Sequence, residues 1–176
     1  LVYLWRVVIA FRVGQQMSTP PLSFESKIVA PGDLAGRLAT TPRPLVFTNG
    51  CFDILHRGHV TILAQARALG ASLLVALNSD ASVKRLGKGD DRPVNTLADR
   101  MALVAALECV SLVTWFEEDT PIERILESRP DVLVKGGDWP VEKIVGNAEV
   151  TGWGGKTVSI PFIHQKSTTS LLEKIR

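Results

Sequence analysis

Apolar residues in this chain fall into short uncharged runs, separated by stretches in which they recur at helical spacing. Leu45-Val46-Phe47-Thr48 is such a run, closed by Asn49-Gly50, and reads as a buried strand. Leu73–Leu77, Val110–Trp115, Val132–Val134 and Thr157–Ile160 repeat the pattern. Between the first two runs, residues 58–69 place Val60, Leu63, Ala64 and Leu69 on one helical face, with Gly70 as a C-cap. A second helix over 97–108 turns Met101, Val104, Ala105 and Leu107 inward. A third starts at Pro121 after Thr120 and ends before Pro130, and Thr169–Arg176 forms the last. The stretch from Asn78 to Asn95 is polar and reads as a long loop. Strands that are apolar on both faces and alternate with helices predict an α/β fold, a parallel five-stranded sheet with helices on both faces. In such sheets ligands lie at the carboxyl ends of the strands, so the loops after strands 1, 2 and 4 are where chemistry is expected.

Composition narrows this little. The 176 residues suit one domain, and 45% hydrophobic with 22% charged residues is ordinary for a globular protein. The net charge is +2 with no run of five or six like charges, so nothing points to nucleic acid. Cys51 and Cys109 match neither a metal-ligand spacing nor a redox pair, which suits a reducing cytoplasmic location. Residues 1–13 are apolar but carry Arg6 and Arg12, and they fall short of the roughly 20 residues a spanning helix needs. Charge also interrupts the order a signal peptide requires. Residues 1–16 therefore read as an extension before Met17 with no stable membrane insertion. The expected division is a 1–26 extension outside the core and a 27–176 domain.

The loop after strand 1 reads Thr48-Asn49-Gly50-Cys51-Phe52-Asp53-Ile54-Leu55-His56-Arg57-Gly58-His59. Two of the chain's three histidines stand here, three apart at a helix opening, and so face the same way. A helix N-terminus offers unpaired N–H groups and a partial positive charge, both suited to phosphate, and Gly58 leaves room for a bulky anion near the backbone. A lone histidine there would read as a capping or solvated residue; the His-x-Gly-His pair after a strand reads as functional. A metal site would want a third ligand at a fitting spacing. Neither G-x-G-x-x-G nor G-x-x-x-x-G-K-[ST] follows strand 1, which removes the usual phosphate cradles of hydride transfer and of P-loop kinases.

His56-x-Gly58-His59, with Ser167-Thr168-Thr169 before the last helix, resembles the HxGH nucleotidyltransferase superfamily of cytidylyl- and adenylyltransferases. Further segments fall in the expected order: Asn78-Ser79-Asp80, the Lys84–Asn95 stretch with Arg92-Pro93-Val94-Asn95, Asp99-Arg100, Phe116–Pro121 and Lys135-Gly136-Gly137-Asp138-Trp139. Over about residues 27–176 the series resembles the D-glycero-β-D-manno-heptose 1-phosphate adenylyltransferases, which make ADP-heptose for the lipopolysaccharide inner core. The resemblance implies a Rossmann-like sheet, ATP and a sugar 1-phosphate as small-molecule substrates, Mg²⁺ bridging phosphates, and a homodimer. In many such relatives the domain is fused to a sugar kinase; 176 residues leave no room for one, which implies a kinase on a separate protein.

In such a reaction the sugar phosphate attacks the α-phosphorus of ATP, so the substrate brings its own nucleophile. The protein must align two polyanions and stabilise charge in the transition state. The expected catalytic residues are His56, His59, Lys84 and Arg100, the histidines donating N–H bonds while neutral. Arg100 opens a helix, where a cation opposes the dipole, which favours an anion-binding role. Nucleotide contacts are expected from Thr48, Asn49, Gly50, Cys51, Phe52, Gly58, Lys88, Gly136, Gly137, Asp138, Ser167, Thr168 and Thr169. Acceptor contacts are expected from Asp53, Asn78, Asp80, Arg92 and Lys135. No protein ligand for the metal can be read, Asp53 being the leading carboxylate for a structural or metal-side role. Arg85 divides evenly between phosphate binding and a solvated turn, and Trp139 between stacking on the base and a rim position.

Two departures bear on substrate. Glycerol- and ethanolamine-phosphate cytidylyltransferases carry Arg-Tyr-Val-Asp-Glu where this chain has Glu108-Cys109-Val110-Ser111-Leu112, and an arginine where it has Phe162. Both count against a polyol-phosphate cytidylyltransferase, the first rival. The second rival, a non-catalytic nucleotide-binding module, is disfavoured by the intact histidine pair, Lys84, Arg100 and Ser-Thr-Thr segment.

Overall fold

The computed structural model describes residues 22–87, 89, 91–164 and 168–175. The expected extension as far as residue 21, together with Lys88 and Ser167, lies outside the described residues, as does the side chain of Thr169. Five parallel strands form one sheet: β1 Leu45–Gly50, β2 Ser72–Asn78, β3 Leu112–Phe116, β4 Val132–Gly136 and β5 Lys156–Ile160, in the order β3-β2-β1-β4-β5. The helices are α1 Leu34–Leu38, α2 Arg57–Arg67, α3 Asp80–Arg85, α4 Leu97–Ala105, α5 Ile122–Ser128, α6 Asn147–Gly152 and α7 Thr168–Ile175. The expected Rossmann-like architecture is the observed one.

Strand alternation divides the core into two layers. Val46, Leu73, Val75, Leu77, Val132 and Val134 face the side covered by Ile62, Leu63 and Ala66 of α2 and Val104 and Ala105 of α4. Leu45, Phe47, Leu74, Ala76 and Leu133 face the other side, covered by Leu34 of α1, Ile125 of α5 and Val150 of α6. Each fully buried Leu or Val contributes about 1.5–3 kcal/mol, which makes the sheet a rigid platform for the loops at its carboxyl edge. Register places Gly50 beside Leu77 and Asn78 beside Phe116, so the ends of β1, β2 and β3 lie level. Because β2 and β4 flank β1 on opposite sides, the chain changes direction there and leaves a crevice above the end of β1.

Several elements differ from the sequence expectation. The buried stripe of α2 is Ile62, Leu63 and Ala66; Val60 is 42% exposed, because the helix lies rotated from the face its first apolar residue suggested. Gly70 is absent from the positive-φ positions, so it is no left-handed cap; a Cβ there would lie 2.5 Å from the Pro44 carbonyl oxygen. The polar stretch after Asn78 contains α3, which Ser79 caps by accepting from the Ser82 N–H at 3.1 Å. Ahead of β1, Phe24 packs against the first core layer and Ile28 bridges to Val113 at the sheet edge. Among the described residues no helix is long and apolar enough to cross a membrane.

Candidate active site at the end of strand β1

β1 ends in Asn49-Gly50, and the chain turns sharply through Phe52, whose φ of 47° is left-handed. Gly50 makes the turn feasible, since a Cβ there would meet the Phe52 ring at 3.0 Å. The Phe52 ring then stands edge-on to His59, with centroids 5.2 Å apart. His56 is the N-cap of α2, and its Nδ1 accepts from the His59 N–H at 3.4 Å. With Nδ1 accepting, the neutral ring carries its proton on Nε2 and becomes a donor there. The His56 and His59 rings stack at 3.8 Å and 15°, so the pair is held as one unit at the helix start.

Gly58 serves the pair differently from expectation. A Cβ at this position would approach His56 Cε1 and Nδ1 at 3.0 Å and the His164 carbonyl at 3.4 Å. It leaves room for the imidazole and for the 161–164 segment, and not only for an anion. α7 begins close by, where the Thr168 hydroxyl reaches the Ile54 carbonyl at 3.5 Å. The histidine pair and the start of the last helix are therefore brought together, as the sequence implied.

Other expected site residues do different work. Arg100 is 0% exposed: its Nη1 donates to the Cys51 carbonyl at 2.7 Å, its Nη2 to Asp80 Oδ1 at 2.7 Å and its Nε to the Asn95 carbonyl at 3.2 Å. The expectation that it contacts phosphate is corrected: this guanidinium ties three loops together beneath the site. Asp53 and Arg92, expected at the acceptor, are 1% and 5% exposed and form an ion pair with each other. Asp53 also accepts from the N–H groups of Val94 and Asn95 at 2.9 Å, while Asn95 Nδ2 donates to the Asp53 carbonyl at 2.6 Å. Burial alone would raise the Asp53 pKa, but the Asn95 and Val94 N–H groups with Arg92 outweigh it and hold it below the ordinary carboxylate value. Both oxygens of this carboxylate accept hydrogen bonds from the 92–95 loop and so fix it. Thr48 is 3% exposed within β1. Lys84 is exposed on the last turn of α3 rather than on a loop, and Arg85 next to it pairs with Asp119 at 2.7 Å.

On the far side of the crevice, β4 ends in Gly136, where a Cβ would sit 2.8 Å from Ile62 Cδ1. Gly137 follows with a φ of 110° that favours glycine, and Asp138 is exposed. A cavity of about 420 Å³ opens between these segments, lined by Asn49 and Gly50 from β1 and Cys51 just after it, Asn78 from β2 and Lys135 from β4. Cys51 Sγ lies 3.8 Å from Asn78 Oδ1, and Asn78 Nδ2 donates to Ser82 Oγ at 3.0 Å, so α3 is joined to the cavity floor. The outer wall includes Leu86, Asp119, Trp139 and Lys143. Asp119 lies within the Phe116–Pro121 segment that marked the resemblance, and nothing in the local pattern singled out Lys143. Among the described residues no group of three or more His, Cys, Asp or Glu side chains could hold a metal ion.

The arrangement offers imidazole donors and a helix N-terminus for phosphates beside a cavity of mixed polar and apolar lining for a second small molecule. Residues 47–169 match the cytidylyltransferase-like family. A D-beta-D-heptose 1-phosphate adenylyltransferase of Bordetella bronchiseptica is 59% identical over 155 residues, covering 87% of this chain and 96% of that protein. The bifunctional protein HldE of Hahella chejuensis is 58% identical over 133 residues, covering 75% of this chain and 28% of the longer relative. Among crystal structures, a lipopolysaccharide core biosynthesis protein from Thermoplasma volcanium superposes with a TM-score of 0.56 at 25% identity, covering 69% of this chain and 98% of that one. A pantoate-beta-alanine ligase from Francisella tularensis, 12% identical over 81% of this chain and 68% of its own, shares the fold with a TM-score of 0.56. The geometry of the loop after β1, the sheet order and the sequence similarity agree, and the chain belongs to the cytidylyltransferase-like family of nucleotidyltransferases, within its heptose 1-phosphate adenylyltransferase branch.

Proposed function

We propose that this protein transfers the adenylyl group of ATP to D-glycero-β-D-manno-heptose 1-phosphate, releasing pyrophosphate and forming ADP-heptose for the lipopolysaccharide inner core. The observation that carries the reading is the stacked His56–His59 pair capping α2, directly above β1 at the sheet's crossover. The name and 59% identity of the Bordetella relative support the choice of nucleotide and acceptor.

An oxygen of the sugar phosphate attacks the α-phosphorus, the bond between α-phosphorus and bridging oxygen breaks, and pyrophosphate leaves. No group need deprotonate the nucleophile, so the protein contributes alignment and electrostatic stabilisation. His56 Nε2–H and the His59 ring donate to phosphate oxygens as charge develops on them. The start of α7 with Thr168 receives the β- and γ-phosphates, and Lys84 neutralises them from the end of α3. The nucleotide lies along Gly136, Gly137 and Asp138, and the acceptor enters the cavity lined by Asn78 and Lys135. Arg100, Asp53, Arg92 and Asp80 hold the loops that carry these groups. Mg²⁺ enters as the magnesium complex of ATP, where it screens the phosphate charges. We further propose a cytoplasmic homodimer supplied with its acceptor by a sugar kinase.

Phosphorus NMR of a reaction containing ATP, the heptose 1-phosphate and Mg²⁺ tests the reaction class. Pyrophosphate and a sugar nucleotide diphosphate should appear together in equal amounts. Formation of ADP with a sugar bisphosphate would instead mean attack at the γ-phosphorus and would overturn the proposal.

A further inference from the structure

Trp139 stands 51% exposed on the wall of the 420 Å³ cavity. Its backbone is nevertheless tied down: its N–H donates to Ser159 Oγ at 3.1 Å, and that hydroxyl in turn donates to the Gly137 carbonyl. The ring lies against Gly137, where a Cβ would come within 3.1 Å of indole Nε1 and 2.9 Å of Phe162 Cε2. Two aromatic rings thus meet over one glycine whose φ of 110° holds the ridge in place. Trp139 lines the cavity with Asn49, Asn78, Asp119, Lys135 and Lys143; Phe162 is not among the described lining residues.

The chemistry of that cavity is graded. Two ammonium groups suit a phosphate, two carboxamides and a carboxylate suit hydroxyl groups, and Leu86, Phe116, Ile144 and Val145 add apolar wall, to which the indole adds a flat, exposed aromatic face. A volume of about 420 Å³ falls in the usual range of roughly 300–1,000 Å³ for small-molecule sites. A pyranose presents ring C–H bonds on one face and hydroxyls around its rim, so it can stack on the indole while its rim meets the polar groups. A three-carbon polyol phosphate has no such face. Resting on the proposed reaction, we propose that Trp139 is the platform on which the acceptor's sugar ring stacks, and that it selects ring sugars over short open-chain polyol phosphates. Trp139 then stands on the acceptor side of the Gly137 ridge, not against the nucleotide base.

Steady-state kinetics of Trp139→Leu and Trp139→Tyr test this against the parent enzyme, with glycerol 3-phosphate as a competitive inhibitor. Leu keeps apolar bulk without an aromatic face, and Tyr restores the face. The exposed position leaves no core cavity on truncation, and thermal melting checks this. Trp139→Leu should raise the KM for heptose 1-phosphate about tenfold, leave the KM for ATP within about twofold, and leave the glycerol 3-phosphate Ki unchanged. Trp139→Tyr should recover most of the acceptor KM. An equal rise in the ATP KM, a parallel rise in the glycerol 3-phosphate Ki, or an unchanged acceptor KM would each overturn the platform while leaving the reaction standing. A parent enzyme inactive with every sugar phosphate would overturn the underlying reaction, and the platform with it.

Discussion

At the start of α2 an imidazole occupies the position that Ser, Thr, Asp or Asn holds at most helix starts. His56 therefore has a capping nitrogen and a second nitrogen for phosphate, and the two roles can be separated by substitution. His56→Ala should lower turnover about 10²–10³-fold, the value of one preorganised donor, and cost about 0.5–2 kcal/mol through loss of the cap. His56→Asn should restore the cap and hence the melting temperature, but not the turnover. His59→Ala should lose a similar factor in turnover with less effect on melting, and in both alanine variants the ATP KM should rise less than turnover falls. Melting curves beside steady-state kinetics check this; near-parent turnover in either alanine variant would show the pair to be structural.

Arg100 behaves in the opposite way. Its removal leaves the carbonyls of Cys51 and Asn95 and the Asp80 carboxylate without their guanidinium partner. Arg100→Ala should cost on the order of 3–5 kcal/mol, and melting should fall before any effect on chemistry can be assigned. Asp53 contributes a pH signature. Its folded pKa is lowered, so its stabilisation is present above the ordinary Asp value of about 3.9 and is lost as pH falls through the lower folded value. In acid titrations the parent should lose stability in that window, and Asp53→Asn should be less stable at neutral pH but flatter across it. Equal acid profiles for the two would contradict the ion-pair assignment.

At the scale of elements, apolar patterning reveals β1, β2 and β4 because their residues are buried on both faces, leaving runs of apolar residues, whereas β5 is largely half-exposed. β1, β2 and β4 were legible for that reason, and the His-x-Gly-His loop was legible because its chemistry is local. α3 was not. Only Val83 and Ser82 of its six residues are buried, so it leaves no apolar stripe; the readable signals were Ser79 before it, Asp80 in its first turn and Lys84 and Arg85 in its last. The roles of Arg100 and Arg92 were illegible for another reason. A cation at a helix start looks like an anion site until its partners, up to 49 residues away in sequence, are known. Ser79→Ala should cost about 0.5–2 kcal/mol, read locally as faster hydrogen exchange at the Ser82 and Val83 amides. Unchanged exchange would mean that tertiary contacts, not the cap, hold α3.

For the whole molecule, the crossover between β2-β1 and β4-β5 sets the site, and the segment ahead of β1 completes the far edge. Phe24 packs against the core and Ile28 bridges to Val113, so a chain beginning at Met17 retains both contacts. Such a chain should fold and keep parent activity; aggregation or lost turnover would place residues 1–16 in the fold or in a subunit contact. Substrate identity was legible in the resemblance more than in the geometry, because a cavity of mixed lining at a sheet edge suits many phosphate esters.

Pyrophosphate release measured for every pairing of ATP or CTP with heptose 1-phosphate, glycerol 3-phosphate or pantetheine phosphate tests the central claim most directly. ATP with heptose 1-phosphate and Mg²⁺ should exceed every other pairing by a wide margin. Faster release with CTP, or with either of the other acceptors, would contradict the heptose adenylyltransferase assignment and leave only the nucleotidyltransferase family standing.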